Sequence, residues 1–414
     1  MKLAPGQPLH IALHGAAPAA RVAMAGGLAQ LEWTAAAIAD ARRLSPVHYP
    51  PEPGLQAART RAFDGLHGFL SDSLPEGWGA LLMRRRLAAL GVDMGRLSAL
   101  DRLALVGDHG RGRLTFAPAT TPAAEADAID LDALAAESQA ILRGEGGALS
   151  DLLADLGGAS GGARPKVHVG FGPDGAIGIG DGELPPDHEA WIVKFRAQGD
   201  PVDIGPLEAA YAVMARAAGL TMGETRLIPA RHGPPWFATR RFDRPGAGVR
   251  VHMVSLAGAI EAPPNIPGAI DYDMFLRATR AITRDEGDVV AAFARMVFNV
   301  LAGNRDDHSR QHAYLMDEGG DWHLAPAYDL TYSDGPGGEH YLAVAGEGAM
   351  PTRRHVDRLG RLHGIAPRAI TAIVEQVADA VAGWDAAARD AGVGRDTRAL
   401  VAARLATIRR EFTG

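Results

Sequence analysis

The chain has 414 residues, of which 47% are hydrophobic and 22% are charged, as in a globular protein with room for two or three domains. It contains no cysteine, which excludes disulfides, thiolate chemistry and cysteine-ligated zinc or iron–sulfur sites. The formal net charge of −7 gives no overall attraction to nucleic acid, which usually requires a basic surplus. No signal-peptide pattern and no run of eighteen apolar residues is present, so we expect a cytoplasmic protein without a membrane segment.

Residues 1–118 are predicted to form one mixed domain. The stretches PLHIALHG (8–15) and RLTFAPA (113–119) alternate like strands, and they flank helical segments such as GWGALLMRRRLAAL (77–90). The run APATTPAAEADA (117–128) is rich in Ala, Pro and Thr and indicates a linker. We therefore place the first domain boundary near residue 118.

The second predicted domain, 119–245, begins with a helix, LDALAAESQAIL (131–142), and is then rich in strands. Glycines crowd the segment GGASGGARPKVHVG (157–170) just before Lys166 and the apolar strand VHV. Glycine lets backbone N–H groups converge on an anion, and a neighbouring lysine can reach a phosphate. A plain flexible turn explains the same glycines, so the pattern alone leaves both interpretations open.

The stretch WIVKF (191–195) places Lys194 within an alternating apolar strand, where a buried lysine is costly unless it is paired. One interpretation is an edge strand on which Lys194 faces water. The other is an ion pair with Glu208, near the start of the helix PLEAAYAVMARAAGL (206–220), because kinases hold the α- and β-phosphates of ATP with such a pair.

The polar segment GNRDDHSRQH (303–312) follows a helical run, VVAAFARMVFNVLA (289–302). A solvated turn would account for much of this composition. The spacing also fits part of the kinase catalytic loop H-R-D-x-x-x-x-N, since Asp306 falls at the base position and Gln311 at the position of the metal-binding asparagine. The leading histidine of that loop is Asn304 here. Glutamine still offers an amide oxygen, with the reach of one more methylene.

Downstream, AYLM (313–316) and WHLAPAYDL (322–330) predict a β-hairpin that leads to Asp329. Kinases place a metal-binding aspartate after such a hairpin. A glycine loop, a strand lysine, a helix glutamate, a catalytic aspartate, an amide and a metal-binding aspartate thus occur in kinase order. This agreement predicts ATP- and magnesium-dependent phosphoryl transfer more strongly than any one piece does.

The third predicted domain, 246–414, is mainly helical. In 368–385 the apolar residues recur at helical spacing and predict an amphipathic helix: Ile370, Ile373, Val374, Val377, Val381 and Trp384. The order of elements favours an α+β architecture in which a cleft separates a β-rich lobe from a helical lobe.

A metal-dependent phosphohydrolase is the alternative in another reaction class. Its ligands would be Asp306, Asp307, His308, His312 and Asp329. The remaining histidines show no ligand pairing such as H-E-x-x-H, and His308 is better explained as a loop support, together with Asp307.

With these residues in place, the sequence resembles the HipA-type serine/threonine kinases, the toxin components of bacterial toxin–antitoxin pairs. The resemblance covers nearly the full length. The segments FDGLHGFLSDSLPEGWGALLMRRRL and LALVGDHGRGRLTFAP look like that family's N-terminal domain. The segments that follow in the family's order are GGARPKVHV, WIVKF, RRFDR (240–244), GNRDDHSRQH and LAPAYDLT.

The resemblance implies a two-lobed protein-kinase-like fold preceded by a mixed HipA-type N-terminal domain. It implies that the ATP-binding residues are Gly161, Gly162, Lys166, Lys194 and the backbone hinge at Arg241 and Phe242. Asp306 would be the catalytic residue, and Gln311 and Asp329 would bind Mg²⁺.

Two positions depart from the family's pattern. Gln311 stands where the family usually has asparagine. Many relatives carry an inhibitory autophosphorylation serine seven residues before the loop lysine, where this chain has Ala159. Ser160, one residue later, is a candidate for weak autophosphorylation.

The resemblance also implies partners. We expect a small DNA-binding antitoxin of the HipB type, contact with DNA only through that antitoxin, and a protein substrate from the translation apparatus. A weakly active or inactive kinase-fold protein that binds nucleotide or antitoxin remains an alternative because of Gln311, and so does a kinase of small molecules.

Overall fold

The structure is a computed structural model that describes residue 3 and residues 7–120, 129–145, 149–157, 161–180, 184–246 and 248–413. Within these residues the strands form two five-stranded sheets and one three-stranded sheet, with helices packed around them. This arrangement confirms the predicted α+β class. None of the described helices is both long and apolar enough to cross a membrane.

The first sheet lies in the N-terminal region and has the antiparallel order β4-β3-β2-β1-β5. Leu9, Ile11 and Leu13 alternate along β1 and are buried, as the sequence pattern predicts. The elements are β1 (Leu9–Leu13), β2 (Pro18–Ala25), β3 (Leu28–Trp33), α1 (Ala35–Asp40), β4 (Leu55–Ala57), α2 (Gly68–Ser71), α3 (Gly77–Ala89), α4 (Ala99–Val106) and β5 (Leu114–Ala117).

The second sheet has the antiparallel order β7-β6-β8-β10-β9. Its elements and neighbouring helices are α5 (Leu131–Leu142), α6 (Ser150–Leu156), β6 (Lys166–Phe171), β7 (Ile177–Ile179), β8 (Glu189–Lys194), α7 (Ile204–Ala217), β9 (Thr225–Ile228) and β10 (Trp236–Arg240). Strand β8, which carries Lys194, therefore lies in the interior of the sheet. The predicted helix at 131–142 and the strands around Lys166 and Lys194 are confirmed.

The third region is a helical lobe with a small sheet, β11-β12-β13. Its elements are β11 (His252–Ser255), α8 (Leu256–Ile260), α9 (Tyr272–Thr283), α10 (Glu286–Leu301), β12 (Ala313–Met316), β13 (Trp322–Leu324), α11 (Arg353–Leu362), α12 (Pro367–Ala382), α13 (Trp384–Asp390) and α14 (Arg395–Thr413). The hairpin β12–β13 and helix α10 are confirmed. The predicted helix 368–385 is shorter than expected, because α12 ends at Ala382 and Trp384 opens α13 after Gly383.

Two large groups of buried apolar side chains hold these regions together. One runs from the first sheet into the helical lobe. The other joins Trp78 and Leu82 of α3 to Val167 of β6 and to Trp191 and Val193 of β8. Helix α3 belongs to the first predicted domain by sequence but packs in the same core as the second sheet. The domain boundaries at 118 and 245 stay predictions.

Candidate functional site

A cavity of about 740 Å³ opens where the second sheet, the helical lobe and the N-terminal region meet. This volume is in the range of sites that bind small molecules and cofactors. The residues singled out in the sequence that line it are Gly161, Gly162, Lys166, Lys194, Glu208, Arg241, Phe242, Asp306, His308, Gln311 and Asp329. Asp307 lies beneath the cavity wall, and Ser160 falls outside the described residues.

Lys194 projects from the interior strand β8 and its side chain is 9% exposed. Its Nζ lies 2.8 Å from Oε2 of Glu208 on α7 and also donates a hydrogen bond to Oδ1 of Asp329. Burial alone would lower the pKa of Lys194, but these two carboxylates raise it above its ordinary value. The interpretation of a water-facing lysine on an edge strand is therefore wrong.

Lys166 is the cross-strand neighbour of Lys194 in the pairing of β6 with β8. Its Nζ donates to the carbonyl oxygen of Gly161 within the glycine-rich segment. Burial lowers the pKa of Lys166 to about 8, against the opposing attraction of Asp329. The positive charge of Lys194 contributes to this lowering, so an anionic ligand bound by both lysines would reduce the repulsion between them.

Arg164 is a third cation that lines the cavity beside Lys166 and Lys194, and it was not among the residues predicted from the sequence. Its Nε lies 3.1 Å from Oδ2 of Asp200, and its Nη1 lies 3.0 Å from Oε1 of Glu208. Glu208 thus pairs with both Lys194 and Arg164. The signal was available, since Arg164 stands two residues before Lys166 in the glycine-rich segment.

Asp306 is the acidic group that the loop 303–312 presents to the cavity. Its side chain is 48% exposed, and Nε2 of His308 lies 3.9 Å from its Oδ1. Partial burial and then the neighbouring Asp329 carboxylate raise the pKa of Asp306 to about 6. A carboxylate with this pKa can accept a proton near neutral pH.

Asp307 faces the interior, although it adjoins Asp306. It accepts hydrogen bonds from the Tyr272 hydroxyl at 2.6 Å, from Nδ1 of His340 at 2.8 Å and from the backbone N–H of Tyr341 at 2.8 Å. Burial would raise the pKa of Asp307, but His340 and these hydrogen bonds hold it below its usual range. The carboxylate therefore ties the loop to α9 and to the segment after residue 339.

The ligand set of the phosphohydrolase alternative is not brought together. Asp307 points away from the cavity, and His312 is buried with its ring stacked on Phe275 at 4.1 Å. Within the part of the chain that the structure describes, there is no group of three or more His, Asp or Glu side chains placed to hold a metal ion.

Asp329 adopts a left-handed backbone conformation, with φ of +55°, which an aspartate tolerates at a modest cost. Its Oδ2 accepts a hydrogen bond from Nε2 of Gln311 at 3.0 Å. Burial would raise the pKa of Asp329, but Lys194 and Lys166 hold it well below its usual range. The carboxylate is therefore ionised at any working pH.

The donor chemistry of this corner fits a magnesium ion. Mg²⁺ prefers oxygen ligands and is commonly held by one or two carboxylates together with substrate phosphates. Asp329 supplies a carboxylate, and rotation of the Gln311 amide would supply an oxygen in place of the NH₂ group that now faces Asp329.

The connection after β10 closes the far end of the cavity. The backbone N–H of Arg241 donates to the Ala190 carbonyl at 2.8 Å, and its own carbonyl accepts from Arg244 at 3.2 Å. Its side chain is buried and forms a bidentate pair with Asp243 at 3.0 and 2.9 Å. Phe242 turns its ring to the cavity beside Tyr328, with ring centroids 5.7 Å apart.

The N-terminal region contributes lining residues that the sequence analysis did not assign to the site: Glu76, Gly77, His109, Gly110 and Arg111. Glu76 forms an ion pair with Arg310 of the loop 303–312. These contacts join segments far apart in the chain, and no local pattern marks them.

The sequence of the chain is similar to that of a known protein. Over 200 residues it is 28% identical to the protein named "Putative kinase Y4mE" of Sinorhizobium fredii (strain NBRC 101917 / NGR234). The alignment covers 46% of this chain and 42% of that protein, so the chain matches less than half of that relative's length.

A solved structure resembles the whole chain. It is the Shewanella oneidensis MR-1 toxin–antitoxin system, HipA with HipB and its operator DNA, and the similarity has a TM-score of 0.73 at 17% identity. The match covers 97% of this chain and 96% of that one. It confirms the two-lobed kinase-like fold preceded by a mixed N-terminal region.

Two protein families match the sequence itself. The HipA N-terminal domain matches residues 9–117, and the HipA-like C-terminal domain matches residues 158–384, which is more than half of the chain. On these matches the chain belongs to the HipA family.

Proposed function

We propose that the protein is an ATP- and magnesium-dependent serine/threonine protein kinase that acts as the toxin of a bacterial toxin–antitoxin pair. The observation that carries this proposal is the placement of Lys194. An interior-strand lysine is paired with Glu208 of a helix and with Asp329, in a cavity that also receives Asp306. This is the set of groups that positions ATP phosphates and a metal opposite a catalytic aspartate in kinases.

The triphosphate of ATP would lie against the cationic wall of the cavity. Lys166, Lys194 and Arg164 would offset its charge, and the backbone of Gly161 and Gly162 allows close approach. Only three of the 42 Lys and Arg residues of the chain are lysines, and two of these are Lys166 and Lys194. A compact ammonium group suits a phosphate site because it acts as a point charge.

The adenine would lie at the other end, beside Phe242. Because both backbone groups of Arg241 are already engaged, with Ala190 and Arg244, we assign the hinge hydrogen bonds chiefly to the backbone of Phe242. The buried pair of Arg241 with Asp243 then supports the hinge from behind.

Asp329 and Gln311 would hold the magnesium ion. When bound, the ion would neutralise charge on the phosphate oxygens. Lys194 remains paired with Glu208 in any state in which Asp329 turns to another partner, since Glu208 contacts it independently at 2.8 Å.

Asp306 would act as the general base. It would accept the proton of a substrate hydroxyl while that oxygen forms a bond to the γ-phosphorus, and the bond from the γ-phosphorus to the bridging oxygen of ADP breaks. The pKa of about 6 and the exposed edge of the carboxylate support this role. Asp307 and His308 would hold the loop in place.

Partners and location are proposed from the family. A HipB-type antitoxin would neutralise the kinase, and DNA would be contacted through that antitoxin, as suits a chain with a net charge of −7. The solved Shewanella oneidensis relative is a complex of HipA with HipB and operator DNA. We further propose a cytoplasmic location, a translation-related protein as substrate, and Ser160 as at most a weak autophosphorylation site.

The test of this function is transfer of label from γ-labelled ATP, in the presence of magnesium, to the protein itself and to proteins of a bacterial lysate. Wild type should label protein bands, and Asp306→Asn should not. Label only on small molecules would point to a small-molecule kinase. Transfer by Gln311→Asn with none by wild type would favour the inactive nucleotide-binding alternative.

A further inference from the structure

The chain enters helix α3 through Glu76, Gly77 and Trp78, here called the α3 entry turn, and this turn touches the glycine-rich segment. The backbone N–H of Trp78 donates to the Gly162 carbonyl at 3.1 Å. A Cβ on Gly77 would overlap that carbonyl oxygen and would lie 2.7 Å from its carbon. Gly77 also has φ of +48°. The contact is therefore backbone against backbone, and only glycine fits it.

The same turn also touches the loop that carries Asp306. The carboxylate of Glu76 forms an ion pair with Arg310, whose side chain is 9% exposed. Arg310 immediately precedes Gln311, and its Nε lies 3.8 Å from Oδ1 of buried Asp72. The ion pair with Glu76 thus offsets the charge of a buried arginine that lies next to Gln311, one of the two proposed metal ligands.

Helix α3 fixes the turn to the sheet that bears the two lysines. Trp78 and Leu82 are buried in the same apolar core as Val167, which follows Lys166 in β6. Farther along α3, Arg86 pairs with Asp155 of α6. The turn is therefore packed in one core with β6, the strand that carries Lys166.

We propose that the α3 entry turn is a positioning element of the nucleotide site. It holds the glycine-rich segment through Gly162 and the catalytic loop through Arg310, and so sets the separation between the two walls of the cavity. This inference rests on the proposed kinase function. Because Nζ of Lys166 donates to the Gly161 carbonyl, a displacement of Gly162 also moves the lysine.

The most informative change is Gly77→Ala. The added methyl group must push the Gly162 carbonyl away, so the affinity for MgATP should fall about tenfold or more. The reaction rate at saturating ATP should fall less, because Asp306 and Asp329 are not moved directly. Glu76→Gln keeps the size of the side chain but removes the ion pair with Arg310, and its effect should fall mainly on kcat, with partial recovery in Glu76→Asp.

The matched control is Gly91→Ala, just beyond the other end of the same helix. Gly91 has φ of +71°, and a Cβ there meets nothing within 4 Å. The control thus carries the backbone strain of a left-handed alanine without the contact. We expect its affinity for MgATP to remain within about twofold of wild type.

The experiment combines hydrogen–deuterium exchange of the nucleotide-free protein with calorimetric titration by MgATP, on wild type, Gly77→Ala and Gly91→Ala. Exchange in peptides that span 161–171 should rise in Gly77→Ala alone, and affinity should fall in that variant alone. Equal exchange in wild type and Gly77→Ala, or an equal effect of Gly91→Ala, would overturn the inference.

The two proposals fail in different ways. If wild type binds no ATP while exchange still separates the two glycine variants, the kinase function fails but the coupling of turn and segment stands. If Gly77→Ala does not fold, the variant Glu76→Gln tests the positioning role instead. In that variant, exchange in peptides that span 303–316 should rise above the wild-type level. Unchanged exchange in Glu76→Gln would overturn the positioning role.

Discussion

Lys166 and Lys194 stand directly opposite each other in the pairing of β6 with β8. Like charges at directly opposed strand positions destabilise a sheet, and here Glu208 and Asp329 offset the repulsion. Almost all other basic residues of the chain are arginines, so the two facing lysines support the proposal that this wall binds a ligand. The proposed phosphate site follows from this pair.

The reactivity of Lys166 should reveal its lowered pKa. Competitive labelling with acetic anhydride, followed by mass spectrometry of the lysine peptides, should give a titration midpoint near 8 for Lys166, well below the usual 10.4 or so for lysine. Lys194, whose pKa is raised, should stay unlabelled over the same pH range. MgATP should protect Lys166. A midpoint near that of an ordinary lysine, without protection, would count against the site.

Replacing either of the adjacent residues Asp306 and Asp307 with asparagine should have different effects: one replacement should lower activity and the other should lower stability. Asp306→Asn should lower the rate of phosphoryl transfer by about a hundredfold or more and leave stability nearly unchanged, because this half-exposed side chain is the proposed base. Asp307→Asn should cost about 3 kcal/mol of unfolding free energy, because the buried carboxylate serves Tyr272, His340 and Tyr341.

Kinetic assays and urea denaturation of the two variants check this contrast. A large loss of stability in Asp306→Asn would contradict the role proposed for Asp306, and normal stability in Asp307→Asn would contradict the supporting role of Asp307.

The buried histidine His252 should make stability depend on pH. It donates from Nε2 to the Leu44 carbonyl at 2.8 Å, and burial lowers its pKa to about 4, with Asp72 and Arg113 acting in opposite directions nearby. The unfolded chain, with a histidine pKa near 6.5, binds the proton first. Above pH 6.5 His252 is neutral in both states, and its contribution to the free energy of unfolding is complete. As the pH falls from 6.5 toward 4, protonation of the unfolded chain lowers that free energy by up to about 3 kcal/mol.

Denaturation curves of wild type and His252→Gln between pH 7 and 4 measure this effect. The glutamine keeps a donor for the Leu44 carbonyl but does not titrate in this range. Wild type should lose more stability than the variant over this interval. Parallel curves for the two proteins would show that His252 does not carry the effect.

The parts of the site that sequence reasoning reached are those encoded within single elements. Lys194 in an alternating strand, Glu208 at the start of the next helix and Asp329 after a hairpin each leave a local pattern, and the structure brings all three into contact. The spacing from Asp306 to Gln311 is likewise local.

The parts that it missed depend on tertiary contacts. The sequence around Glu76 and Gly77 does not predict their contacts with Arg310 and Gly162, because these partners are distant in the chain. Arg164 was also overlooked: its place two residues before Lys166 was visible in the sequence, but its ion pair with Glu208 is a tertiary contact. The end of α12 was misplaced because the apolar spacing continues across Gly383 into α13.

Calorimetric titration tests most directly whether the cavity binds MgATP through Lys166, Lys194 and Arg164 of its cationic wall. Wild type should bind one equivalent, and Lys194→Met should bind at least about tenfold more weakly. Arg231→Met, which removes an exposed cation away from the cavity, should bind as wild type does. No binding by wild type, or equal binding by wild type and Lys194→Met, would contradict the account.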